Sequence, residues 1–163
     1  SGGLENRSFE NGKTMYAAAR CITCHSMQGE GGNIGPALTQ LGTRFSAEDM
    51  IRAIMEPNET ISDQYASTVF FLEDGSSVVG RITDQDEENY FISQNPYAPD
   101  YIREIPKSDV TETRTSQVSV MPPRTINPLN EEELRDLIAY LMAGGNPDHP
   151  MYKETSETQA SVD

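Results

Sequence analysis

The chain has 163 residues, of which 36% are hydrophobic and none is tryptophan, and its 12 basic and 26 acidic side chains give a net charge of −14. That length allows one domain, or one domain carrying a small insertion. The charge argues against nucleic acid as a partner, no run of about eighteen apolar residues offers a membrane span, and two cysteines are too few for a four-cysteine zinc or iron–sulfur site.

The chain opens with Ser1-Gly2-Gly3 and shows no charged-then-apolar export segment, which predicts a mature form or a piece of a longer protein. From about Asn6 to Arg20, the recurrence of Phe9, Gly12, Tyr16 and Ala19 predicts a first helix. This helix runs into Cys21-Ile22-Thr23-Cys24-His25. Two thiols three positions apart, with a histidine directly after the second, form the attachment pattern for one covalently bound c-type haem. On a turn of helix, positions i, i+3 and i+4 share a face. Cys21 and Cys24 then reach the vinyl groups while His25 turns its imidazole toward the iron. A thioredoxin-like pair would follow a strand rather than a helix. A zinc site lacks a fourth ligand, because the only other histidine is His149 in a polar segment. A disulfide between the two thiols leaves His25 without a role. The haem reading outweighs all three, and because such attachment takes place outside the cytoplasm, a periplasmic or other extracytoplasmic location is expected.

A second helix is predicted from Ser46, with Asp49 at capping-box spacing, Met50, Ile51, Ile54 and Met55 on one side, and an end before Pro57. Alternation then replaces helical periodicity. Tyr65–Leu72 and Ser76–Thr83 flank the turn residues Glu73-Asp74-Gly75 and predict a hairpin. Asn89–Ser93, Tyr101–Ile105 and Lys107–Thr115 predict further strands, with a long loop around Asn95-Pro96 and Ala98-Pro99. Residues 63–118 hold 4 basic and 11 acidic side chains, half of the net charge. The run Asp84–Glu88 reads as a solvated loop tip, or else as a docking patch for a basic partner. A third helix is predicted from the N-cap Asn130, with Glu133 at the third helical position, Leu134, Leu137, Ile138, Leu141 and Met142 on its apolar side, and Gly144-Gly145 as its stop.

These elements predict a mainly α chain: residues 1–62 and 116–147 form a discontinuous helical haem domain, residues 63–115 an inserted antiparallel β-unit of barrel-like form, and residues 148–163 a polar tail. Seven methionines compete for the second axial position. Met27 is too close to His25; Met50, Met55 and Met142 fit apolar helix faces; Met15 and Met151 belong to the first helix and the tail. Met121 sits in the irregular Ser119-Val120-Met121-Pro122-Pro123, whose prolines stiffen the backbone. It is the leading candidate, ahead of His149 and of an open site. Met121 lies 96 residues beyond His25, and leaving out residues 63–115 reduces that to 43.

Together these residues resemble the class I cytochromes c, through Gly12 and Tyr16 ahead of the haem motif, Gly35-Pro36, Met121-Pro122, and a last helix ending in Ala139-Tyr140-Leu141. The resemblance implies that the first and last helices cross near Gly12 and Tyr140, with Tyr140 packing at the haem, and that the Pro36 carbonyl accepts a hydrogen bond from the ligating histidine. A narrower similarity spans roughly residues 10–145. It rests on Gly29–Pro36, Leu41–Ser46, Met55-Glu56-Pro57, Ile61–Tyr65 and the Asp74-Gly75 turn. These look like the planctomycete-type haem-binding domain at the end of large membrane-associated dehydrogenase-like proteins. Ala37 departs from that pattern, where an acidic residue is common. The similarity implies a sugar-dehydrogenase-like electron donor and a membrane-associated parent protein; the acceptor is unidentified.

The leading expectation is a single-haem electron carrier, not an enzyme. One alternative is an open-site haem ligand sensor or peroxidase-like enzyme, which a single haem motif and the lack of a further distal histidine weigh against. Another makes the β-unit a binding module whose Tyr90, Phe91, Tyr97 and Tyr101 form a contact face rather than filling its own core. Arg44, Arg81 and Arg124 are candidate partners for haem propionates.

Overall fold

The first helix, α1 (Phe9–Ala18), starts where the Ser8 hydroxyl accepts the amide of Asn11 at 3.1 Å. It stops just before Arg20, which takes a left-handed φ of 61°. Both signals are local, and they make the helix shorter at each end than its periodicity predicts. A single turn, α2 (Cys21–Cys24), follows, and then a two-stranded ladder of β1 (Ser26–Met27) and β2 (Glu30–Gly31). The computed structural model describes residues 3–152. Ser1, Gly2 and the expected tail from Lys153 to Asp163 lie outside the described residues.

Two later helices begin as their sequences predict. In α3 (Ala47–Met55) the Ser46 and Asp49 side chains close a reciprocal capping box, and in α4 (Glu131–Met142) Asn130 and Glu133 do the same. Gly144 at φ 59° ends the last turn. α1 crosses α4 at Gly12, where an added Cβ would lie 2.4 Å from the Asp136 carbonyl oxygen and 2.8 Å from Tyr140 Cβ. The crossing buries Tyr16, Leu137, Ile138 and Tyr140 in a core shared with Met27, Met50 and Ile54. Each such side chain contributes about 1.5–3 kcal/mol when fully withdrawn from water.

Between α3 and α4 lies a five-stranded antiparallel sheet. Its strands are β3 (Thr68–Leu72), β4 (Ser77–Gln85), β5 (Asn89–Ser93), β6 (Ile102–Pro106) and β7 (Val110–Thr115), in the spatial order β6-β5-β4-β3-β7. The two edge strands, β6 and β7, are joined by only the single 3₁₀ turn Lys107–Asp109. A connection this short between opposite edges requires the sheet to curl into a partly open barrel. Register shifts at Phe71/Leu72 and Ile82/Asp84 supply local bends. Phe70, Val78, Ile92 and Ile105 form its own core, separate from the helical one. Pro106 is tolerated because β6 is an edge strand.

The expectation of a mainly α chain is wrong. Of the described residues 29% are helical and 23% lie in strands. Its caps trim α1 at both ends, and the inserted sheet weighs nearly as much as the helices, so neither type of element dominates. The aromatic residues of the β-unit divide: Tyr90 packs at a tilt against Phe70 with centroids 5.1 Å apart, whereas Tyr97 and Tyr101, in the β5–β6 loop, are exposed. Asp84–Glu88 form the β4–β5 turn region, where the Asp86 carboxylate accepts the amides of Glu88 and Asn89. The segment after α4 is not loose as far as Tyr152, whose ring meets Phe9 edge-on at 5.6 Å.

Candidate functional site

α2 holds Cys21 and Cys24 one turn apart, both as free thiols and both half-buried. Burial pushes the Cys21 thiol up to about 11, and raises that of Cys24 as well. His25 is not a helical residue. It caps α2 with φ −118° and ψ 141°, while its amide still bonds the Cys21 carbonyl at 2.9 Å. Shared helix-face geometry therefore accounts for the two thiols but not for the imidazole, whose direction is set by a loop.

That loop is residues 32–36. The Gly32 amide donates to Ile22 O at 2.9 Å and the Gly35 amide to Cys24 O at 2.8 Å, which ties the loop against the motif. Gly35 lies flat on the imidazole: a Cβ there would come within 2.4 Å of His25 Cε1, so no side chain fits. Pro36 then presents its carbonyl to His25 Nδ1 at 2.7 Å. A carbonyl only accepts, so Nδ1 carries the proton and Nε2 keeps a free lone pair. Burial lowers the His25 pKa from its ordinary value, against the opposing pull of the Pro36 carbonyl, and so favours the neutral ring. From the other side, the buried Tyr16 hydroxyl donates to the His25 carbonyl at 2.8 Å.

Met121 is half-buried and packs against the helical core, as do Cys21, Leu41, Ile51 and Met55. Its segment is fastened to the end of α3. The Ser119 amide donates to Asn58 Oδ1 at 2.8 Å, the Met121 amide to Ser119 Oγ at 3.1 Å, and the Arg124 amide to Ile54 O at 3.1 Å. The groups brought together by α2 and its loop are thus two thiols on one turn and an imidazole with its outer nitrogen free. That set fits a covalently held haem, and among the described residues no group of three His, Cys, Asp or Glu side chains offers a metal-ion site instead. The family model described as Cytochrome c matches residues 9–89, from α1 through the haem motif and α3 into the sheet. The chain carries a cytochrome c domain. No curated protein matches the chain.

A cytochrome c domain holds haem c covalently and is typically an electron carrier rather than an enzyme. Met121 and α4 lie beyond the matched residues of the cytochrome c domain. Of the other methionines, Met27 and Met50 are core residues, and Met15, Met55 and Met142 pack against that core. His149 is engaged locally, its Nδ1 accepting the amide of Met151 at 3.3 Å. Tyr140 sits at the helix crossing, its ring centroid 5.4 Å from that of Phe9 and 5.5 Å from that of Tyr16. Of the arginines, Arg44 lies over Phe45, Arg124 is 4.0 Å from Glu56, and Arg81 donates to Ile34 O. Sequence reasoning did not assign the Tyr16 hydroxyl, the close approach of Gly35 or the Arg81 contact. A tyrosine nine residues before the histidine is the only one of the three with a local signal.

Proposed function

We propose that this chain is a single-haem class I cytochrome c unit that passes electrons one at a time. In this reading Cys21 and Cys24 form the thioether links, His25 and Met121 ligate the iron from opposite sides, and residues 63–115 are a unit inserted between the two ligands. Haem, when bound, supplies the reversible one-electron change. The protein's part is to hold, orient and shield. The hydrogen bond from His25 Nδ1 to Pro36 O carries the reading, because it fixes the tautomer and ring direction in the way a ligating histidine requires. A methionine ligand favours ferrous iron and raises the potential, while exposed acidic groups act weakly through solvent. Location outside the cytoplasm follows from the attachment chemistry. A donor resembling a sugar dehydrogenase, within a membrane-associated parent, is the partner the narrower family similarity supports.

Mass spectrometry of protein matured by a c-type haem attachment system tests the covalent link; the expected mass is that of the chain plus one haem, and the bare polypeptide mass refutes it. Met121→Ala is expected to abolish the far-red sulfur–iron absorption band and to open the reduced protein to carbon monoxide. Retention of the band would move the ligand to another residue.

A further inference from the structure

Arg81 lies in β4, opposite Ser93 of β5, but its guanidinium leaves the sheet. Nη1 donates to the Ile34 carbonyl at 3.0 Å in a partly buried contact, and Cζ stands 5.4 Å from the centre of the Tyr65 ring. Ile34 is the first of three consecutive residues that define the surroundings of His25. Next comes Gly35, flat against the imidazole, and then Pro36, whose carbonyl accepts from Nδ1. Among the described residues, the Arg81–Ile34 contact is the only hydrogen bond between the barrel strands and residues 3–55. A half-open groove of about 460 Å³ lies beside it, lined by Ile34, Val79, Arg81, Pro99, Val118 and Val120 among others. The loop is thus held to the motif by the Gly32 and Gly35 amides and to the barrel strands by this one hydrogen bond.

The geometry points to Arg81 as a positioning residue through which the barrel sets the hydrogen bond of His25, and with it the reduction potential of the iron. A charged donor holds a carbonyl more firmly than a neutral one. With Ile34 anchored, Pro36 is held close to Nδ1, and a short bond there makes the imidazole a stronger electron donor that favours ferric iron. Loss of the anchor lengthens the bond and favours ferrous iron. Arg81 acting only as a nearby positive charge has the opposite consequence, since deleting a cation favours the ferric state. The sign of the change separates positioning from bare charge.

The potential readout rests on the haem reading; a second readout does not. Arg81→Met and Arg81→Lys are compared with the parent chain, each first checked for native near-ultraviolet circular dichroism. For Arg81→Met the expected result is a higher midpoint potential together with Gly35 amide exchange roughly tenfold faster, the change in local opening that one hydrogen bond to a charged donor is worth. Arg81→Lys keeps the charge and the stem and is expected to restore part of both. A lower or unchanged potential overturns the inference, as does unaltered Gly35 exchange. Gly35 exchange also reads the anchor in haem-free protein, so a chain that never takes up haem refutes the functional reading while this test of Arg81 still returns an answer. Should Arg81→Met fail to fold, Arg81→Lys decides by the same two measurements: parent-like Gly35 exchange with a raised potential, or a lowered one, would equally overturn the assignment.

Discussion

Replacing Gly12 by alanine perturbs the helix crossing with a single methyl group. The new Cβ would stand 2.4 Å from a backbone oxygen, while ordinary contact begins at 3.4 Å. α1 and α4 must therefore part by about 1 Å, because a helix carbonyl cannot rotate away as a side chain would. Overfilling a packed site of this kind costs about 1–3 kcal/mol. Alanine returns about 1 kcal/mol through its better helix propensity. The rigid backbone contact places the cost in the upper part of its range, so the net loss is about 1–2 kcal/mol. For a chain of this size that lowers the melting midpoint by roughly 2–8 °C. Thermal unfolding followed by circular dichroism at 222 nm reads the shift. Ala17→Gly, at an exposed position of the same helix, serves as the control that reports propensity alone. If Gly12→Ala is as stable as the parent chain or more so, the crossing does not need a glycine and the packing argument is wrong.

Three further expectations rest on other parts of the molecule. Asp136 is 7% exposed and accepts the Ser8 amide at 3.1 Å and Asn11 Nδ2 at 2.6 Å, so Asp136→Ala is expected to cost about 2–3 kcal/mol in urea unfolding; a loss below half of that would show that water replaces the carboxylate. The Ser46 hydroxyl, more than any other group, holds Asp49 below its ordinary pKa of 3.8. The lowered folded value means that the capping box stabilises the protein above that pH and ceases to as acid protonates the carboxylate. Ser46→Ala should therefore lower the urea midpoint at pH 7, with the difference narrowing below about pH 3.8 to what the amide–hydroxyl cap bond contributes; a gap independent of pH would exclude the carboxylate. Tyr152 buries a hydroxyl that has no partner among the described residues, and burial pushes its pKa up to about 12. Tyr152→Phe should be neutral or stabilising at pH 7 and should remove the phenolate absorbance step near pH 12, whereas in the parent chain this group makes stability decline as pH rises above the ordinary tyrosine value of 10. Destabilisation at pH 7 would mean that the hydroxyl has a hydrogen-bond partner after all.

What the sequence made legible was local. The caps of α3 and α4 each need four neighbouring residues, and Ser46-x-x-Asp49 and Asn130-x-x-Glu133 announce themselves. The haem motif is equally short in range. Arg20 was not legible as a helix stop, since nothing in an arginine favours a left-handed backbone; the need to turn the chain into Cys21 imposes it. The direction of His25 was beyond spacing rules, because it is fixed by Gly35 and Pro36 across a loop. The pairing of β7 with β3 and the reach of Arg81 to Ile34 join residues about forty or more positions apart, and no periodicity encodes such a distance. The fold class was misjudged although each strand was visible, because the inserted sheet holds nearly as many residues as the helices that carry the haem motif.

The pairing of β3 with β7 also fixes where the barrel begins and ends. Thr68 stands opposite Thr115, and the Ser116 amide bonds the Ser67 carbonyl at 2.8 Å. The chain thus departs from the helices and returns to them through neighbouring strands, as it would around an ordinary hairpin. The segment between can lengthen, shorten or change its content without moving the two points where it joins the rest, so the helices on either side need not adjust to what lies beyond them.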